Sequence, residues 1–168
     1  IGASLDASGD RAELMRKGCD WNKVVHNRER MLEKCPDVDF YISPTVSLMN
    51  VLHVPDFHRA WVECGLLKAQ DLNVNILQSP DWYRADCLPE ELKAQATQKL
   101  EEHIAWLEPQ DHLQRATNGF RSTISFMNSQ DNTQNLPKFN RVTAQLDEVR
   151  TENFYTVFPE LQSLAQYE

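Results

Sequence analysis

The sequence predicts an α/β fold: a partial (βα) barrel fragment of three parallel strands with their helices, followed by an α-helical C-terminal region. Strand-like segments at Ile1–Asp6, Val38–Ser47 and Leu72–Leu77 alternate with helical ones. This βαβαβ order implies parallel strands joined by right-handed crossovers. The strands alternate in polarity instead of reading as the continuous apolar runs of a fully buried parallel sheet. Ala3, Leu5, Phe40, Ile42, Val46, Val74 and Ile76 fall on one face, and Ser4, Asp6, Tyr41, Ser43, Thr45, Asn73 and Asn75 on the other. The apolar face can take helices. The polar face must meet water, a ligand or a second polar surface, because unpaired burial of so many polar groups is costly. A polar concave sheet backed by helices is half a barrel seen from its lumen; a flat three-layer sheet is the alternative. After Leu77 strand signals stop, which divides the chain into residues 1–88, the half barrel, and residues 89–168, a helical extension packed on it.

The elements follow in order. Ile1–Asp6 leads through a small-residue turn, Ala7-Ser8-Gly9-Asp10, into a short helical run ending at Arg16-Lys17-Gly18. A helix is expected from about Asp20, a suitable N-cap, to Lys34, with Pro36 just beyond. Pro55 opens a second helix to about Cys64, whose inner stripe is Phe57, Ala60, Trp61 and Cys64. Ser79-Pro80 breaks the chain after the third strand. Pro89 opens a helix to about Leu107, with Glu90 and Glu91 suited to the dipole of its first turn. The next helix, about Asp111–Asn128, contains Gly119, an unfavourable interior residue. Pro137 opens the last long helix, with Phe139, Val142, Leu146 and Val149 inward, and Phe154–Leu161 supplies aromatics to dock on it.

Composition excludes some functions. With 25 acids against 17 bases, a net charge of −8 argues against a binder of duplex nucleic acid. No run approaches the roughly 20 apolar residues of a membrane span, and no secretory signal segment occurs. The expected compartment is the cytoplasm. Cys19, Cys35, Cys64 and Cys87 lack short metal-ligand spacing and read as free thiols, with Cys64 a buried hydrophobe on its helix.

Several stretches resemble a known family. These are Ser4-Leu5-Asp6-Ala7-Ser8-Gly9, then Arg16-Lys17-Gly18, then Trp21 with Val24, and the run Ile42-Ser43-Pro44-Thr45-Val46-Ser47-Leu48-Met49-Asn50-Val51. Together with the tail around Leu146–Phe154 and Phe158–Leu161, they resemble the radical S-adenosylmethionine (SAM) superfamily in its twitch/SPASM-type branch. The resemblance implies that Ile1–Asp6 is the fourth strand of a six-stranded partial barrel, with the fifth and sixth at Val38 and Leu72. It implies SAM and a [4Fe–4S] cluster as cofactors of a full-length parent. Ser4 and Arg16 would hold the methionine part of SAM, Arg16 by pairing with its carboxylate. Asp6 either joins that role or caps its turn. Thr45 and Asn50 would lie near the ribose or adenine, and Asn75 and Gln78 would end the sixth strand. Ser4, Thr45 and Asn75 are alternatively lumen polar groups bonded to water.

The chain departs from the family in lacking the CxxxCxxC motif, and its four scattered cysteines cannot replace three converging thiolates. The expectation is a C-terminal part of a radical-SAM-like enzyme that contributes to the pocket, needs no cofactor of its own and is inactive alone. Its partner is then the missing N-terminal half of the barrel. The alternative is a non-catalytic interaction module that forms a homodimer through its open half barrel. A metal hydrolase built around His53 and His58 is a third possibility. Trp82 and Tyr83, after the third strand, serve either to stack on a ligand or to pack in the core.

Overall fold

The computed structural model describes residues 1–167, and helices dominate it. It is 59% helix and 5% strand, which overturns the expected half barrel. Strand structure is confined to four two-residue pieces: β1 (Gly2–Ala3), β2 (Tyr41–Ile42), β3 (Thr45–Val46) and β4 (Asn75–Ile76). They form two separate parallel pairs, β1 with β2 and β3 with β4.

Local chemistry explains why the three expected strands do not extend. The Leu5 N–H closes back onto the Ala3 carbonyl (3.1 Å), a three-residue turn that takes the chain out of the ladder. Pro44 has no N–H and splits Val38–Ser47 into β2 and β3. The third segment touches β2 through a single bridge, Ile42 to Leu72, before β4 pairs with β3.

The helices are α1 (Gly9–Met15), α2 (Trp21–Lys34), α3 (Val54–Glu63), α4 (Glu90–Leu107), α5 (Arg115–Met127), α6 (Leu136–Arg150) and the single turn α7 (Phe154–Val157). Asp20 caps α2, accepting the Lys23 N–H at 3.0 Å. Among the described residues, no helix is long and apolar enough to cross a membrane.

One cluster of buried apolar side chains runs from Phe40 to Leu164, so the two halves of the chain share a core. The inner face of α4, Leu92, Ala96, Leu100, Ile104 and Leu107, is buried in it. Each leucine or isoleucine among them contributes about 1.5–3 kcal/mol when fully buried. α5 packs on α4, and the C-terminal segment closes over α6. There Phe139 meets Phe154 edge-on at 5.4 Å, and Phe154 stacks on Phe158 at 4.8 Å. α6 is rotated from the expected stripe: Val149 is 82% exposed, whereas Thr143 is buried. By contrast, α2 has no buried residue and is held by Trp21 against Phe57 and Trp61, by Arg28 over Phe40 and onto the Leu66 carbonyl, and by the half-buried Val24, Val25 and Met31.

Gly119 has a packing reason. A Cβ there would lie 2.7 Å from the Cβ of Val74, so α5 approaches the chain before β4 more closely than alanine permits. The Gly119→Ala substitution gains about 1 kcal/mol of helix propensity but overpacks the contact by about 1–3 kcal/mol. Urea unfolding should show net destabilisation, and in a V74A background the same substitution should become neutral or stabilising.

Candidate functional site

The centre of the site is Asp6, where the chain leaves β1. Its carboxylate is buried and has two partners: Oδ1 accepts the Thr45 N–H at 2.8 Å, and Oδ2 accepts Arg16 Nε at 2.7 Å. Asn50 completes the junction. Its Nδ2 donates to the carbonyls of Asp6 (2.8 Å) and Thr45 (3.1 Å), and its Oδ1 accepts the Ser47 N–H (2.8 Å). Ser47 Oγ in turn accepts the Met49 N–H at 3.3 Å, which shapes the turn that brings Asn50 inward. Asn50 is fully buried with both ends of its amide engaged. The junction therefore fixes the end of β1 against the start of β3.

Beside this junction lies a cavity of about 380 Å³. It is lined by Asp6, Thr45 and Ser47 from the junction, by Met49, Leu77 and Tyr83, and by Thr143, Leu146, Asp147 and Arg150 of α6. Leu14, Met15, Glu152 and Phe154 complete it. The volume falls within the range of small-molecule pockets, about 300–1,000 Å³, as does the mixture of apolar surface with a few polar groups.

The seven residues singled out by sequence have different fates. Asp6 and Thr45 line the cavity; Arg16 reaches it through Asp6, and Asn50 through Asp6, Thr45 and Ser47. Ser4 is exposed, as is Asn75 on β4. Gln78 is exposed too and turns back to the Ile76 carbonyl at 3.4 Å. Tyr83 lines the cavity and packs edge-on against Phe139, whereas Trp82 lies under the Lys138 ammonium at 3.7 Å. The α6 lining was missed by sequence reading. Its signal is the spacing of Thr143, Leu146, Asp147 and Arg150 at i, i+3, i+4 and i+7, one face of a helix. An apolar-only template passes over it.

The histidines act structurally. His53 Nδ1 lies 2.8 Å from Arg11 Nη1 and its Nε2 lies 3.0 Å from Ser8 Oγ. A guanidinium only donates, so Nδ1 accepts from Arg11, while the Ser8 backbone N–H points at Nε2 from 3.3 Å, so both ring nitrogens face donors. The lone pair that a general base would need is taken by Arg11. Burial, together with the Arg11 charge, pushes the His53 pKa down to about 4. His58 bonds to a different partner, His103 (Nδ1 to Nε2, 3.0 Å), linking α3 to α4 in the core. Burial pushes both of these rings well below the usual histidine range. His53 and His58 thus form no common metal site.

Among the described residues, no group of three His, Cys, Asp or Glu side chains stands close enough to hold a metal ion. All four cysteines are free thiols. Only Cys87 is buried; Cys64 is exposed at the C-terminal end of α3, contrary to expectation. Their placement does not fit a [4Fe–4S] cluster. No protein family, curated protein or solved structure matches this chain.

The histidines give the fold a defined acid sensitivity. In the folded state all three stay neutral at pH values where the unfolded chain, with pKa near 6.5, takes up protons. The unfolded state then binds more protons, so stability falls as pH drops below about 6.5 and is constant above it. The slope is at most about 1.4 kcal/mol per pH unit per histidine. Urea unfolding between pH 5 and 7 should show this loss, and His103→Gln should make the slope shallower.

Proposed function

We propose that this chain binds S-adenosylmethionine in the cavity beside Asp6, as a ligand-holding part of a radical-SAM-type protein. The observation that carries the reading is the position of the cavity. It opens beside the junction of β1 and β3, the two stretches whose sequences resemble that family, and Asp6 and Thr45 from those stretches line it. The ligand combines an amino-acid zwitterion, a sulfonium and an adenosine. Of the acids in the lining, Asp6 is paired with Arg16 and Glu152 with Lys17, and Asp147, which accepts only the Phe154 N–H, leaves negative charge for a cationic group of the ligand. Met49, Leu77, Tyr83, Leu146 and Phe154 offer apolar and aromatic surface for the adenosine. Reductive cleavage of SAM requires an iron–sulfur cluster, and the cysteines of this chain do not supply one. Its own residues bind and orient the ligand and exclude water from it.

Titration calorimetry with SAM should show saturable binding with Kd between about 10 µM and 1 mM, roughly −7 to −4 kcal/mol. Leu146→Trp, which places an indole in the cavity, should abolish it. No heat and no change in the amide spectrum at millimolar SAM would remove the proposal.

A second reading, an interaction module that pairs with another copy of itself, has its own support. Among the described residues, the backbone groups of Ser4 make no hydrogen bond, Ile1 is 62% exposed nearby, and α2 buries no residue. An open strand edge invites pairing. This reading predicts a dimer at micromolar concentration, and light scattering that gives the monomer mass would eliminate it.

A further inference from the structure

We propose that a second cleft, between α2 and the approach to β2, binds a small zwitterion of the free amino-acid class, with one carboxylate and one ammonium. The cleft measures about 230 Å³ and shares no lining residue with the cavity beside Asp6. It lies among the second half of α2, residues 35–40 leading into β2, and residues 65–71 after α3. That volume is below the about 300–1,000 Å³ of common ligand pockets, so it suits a molecule of few atoms. Four charged side chains line it, the cations Arg28 and Lys68 and the acids Asp39 and Asp71.

These charges act on one another but do not pair. Among the described residues, none of the four belongs to an ion pair within 4.0 Å. Arg28 Nε donates to the Leu66 carbonyl at 2.8 Å, and the guanidinium carbon lies 4.0 Å from the Phe40 ring centroid. Its Nη donors bond to no protein atom. Asp71 is fixed by its backbone: its N–H donates to the Lys68 carbonyl at 2.9 Å, and its carbonyl accepts the Ile42 N–H at 2.9 Å. The Asp71 carboxylate accepts no hydrogen bond. Burial, with the Asp39 charge adding to it, holds the Asp71 carboxyl above its ordinary value, and burial holds Arg28 below its own. Both groups have lost hydration without gaining a charged partner. Elsewhere the half-buried arginines are paired, Arg11 with Glu160 and Arg84 with Asp86.

The mixture of signs selects the ligand. A lone anion gains Arg28 and Lys68 but is repelled by Asp39 and Asp71, and a lone cation meets the reverse. A zwitterion gains from both pairs, with its carboxylate on the Arg28 fork. The apolar part of the lining selects further. Phe40 and Leu67 are buried, whereas Leu32 and Val38 are 37% and 38% exposed, which an aliphatic ligand side chain would cover. Leucine meets all of these requirements.

The test is a titration of the amide spectrum with leucine. Saturable shifts are expected at Gly65, Lys68 and Asp71, with Kd about 1 mM. Isocaproate, which lacks the ammonium, and isopentylamine, which lacks the carboxylate, should each bind at least about tenfold more weakly, about 1.4 kcal/mol. D71N should weaken leucine by about tenfold and strengthen isocaproate, because it removes the charge that repels an anion. R28Q should weaken leucine and strengthen isopentylamine. Arg28 also holds α2, so D71N, whose carboxylate has no partner in the chain, covers the case in which R28Q folds poorly. Absence of saturable shifts in the wild type, equal binding of leucine and either analogue, or unchanged leucine binding in D71N overturns the proposal. L146W, which fills the cavity beside Asp6, should leave leucine binding unchanged. Loss of leucine binding in L146W would place the ligand in that cavity and overturn the proposal as well.

Discussion

A buried carboxylate must be met by donors, and in this protein that requirement falls on Asp6 at the one place where the first strand piece, the first helix and the second strand region come together. A carboxylate deprived of partners there would leave the Thr45 N–H unsatisfied as well, a penalty of about 1–3 kcal/mol for that donor alone. Asn50 performs the complementary task. It supplies amide donors and an acceptor where two strand ends leave carbonyls and an N–H without ladder partners. With strands only two residues long, side chains do the work that a continuous ladder does elsewhere. The junction beside the cavity is rigid for that reason.

The C-terminal segment depends on that junction and in turn covers it. Charged contacts run from the first helix region to the tail: Arg11 to the Val157 carbonyl and Glu160, and Lys17 to Glu152. Exposed ion pairs of this kind are worth little individually. The buried aromatics Phe139, Phe154 and Phe158 carry the energy of docking, and the charges set its orientation. The cavity exists because the tail closes on one side of the junction while Asp6 and Thr45 hold the other. Cavity and tail are one structural unit.

Residues that look reactive in isolation turn out to be committed elsewhere. His53 faces Ser8, but Arg11 occupies its lone pair. His58 and His103 are bonded to each other in the core, through His58 Nδ1 and His103 Nε2. Cys87 has a thiol pushed up to about 11 by burial, which makes it a poor nucleophile. The chemistry left accessible is recognition, by a few polar groups and apolar surface around the cavity.

Much of the helical structure was legible in the chain itself, because its determinants are local. Asp20 caps α2, Pro55 lies in the first turn of α3, and the period of Leu92, Ala96, Leu100, Ile104 and Leu107 marks the buried face of α4. The strands were not legible. Alternation at Ile1–Asp6 and Val38–Ser47 satisfies a strand pattern, but the turn at Ala3–Leu5 and the missing N–H of Pro44 end each ladder after two residues. In the site, sequence marked Asp6, Arg16, Thr45 and Asn50 as polar groups near strand ends, and they meet in one network. It could not show that Ser4, Asn75 and Gln78 would face outward, because the direction of a side chain beyond a ladder depends on what closes over it. Nor could it place Arg150 in one cavity lining with Asp6, across 144 positions of chain. Local sequence determined which segments are helical and which polar groups end the strands. Tertiary packing alone decided which of those groups share a cavity, because only the closure of the tail over α6 brings them together.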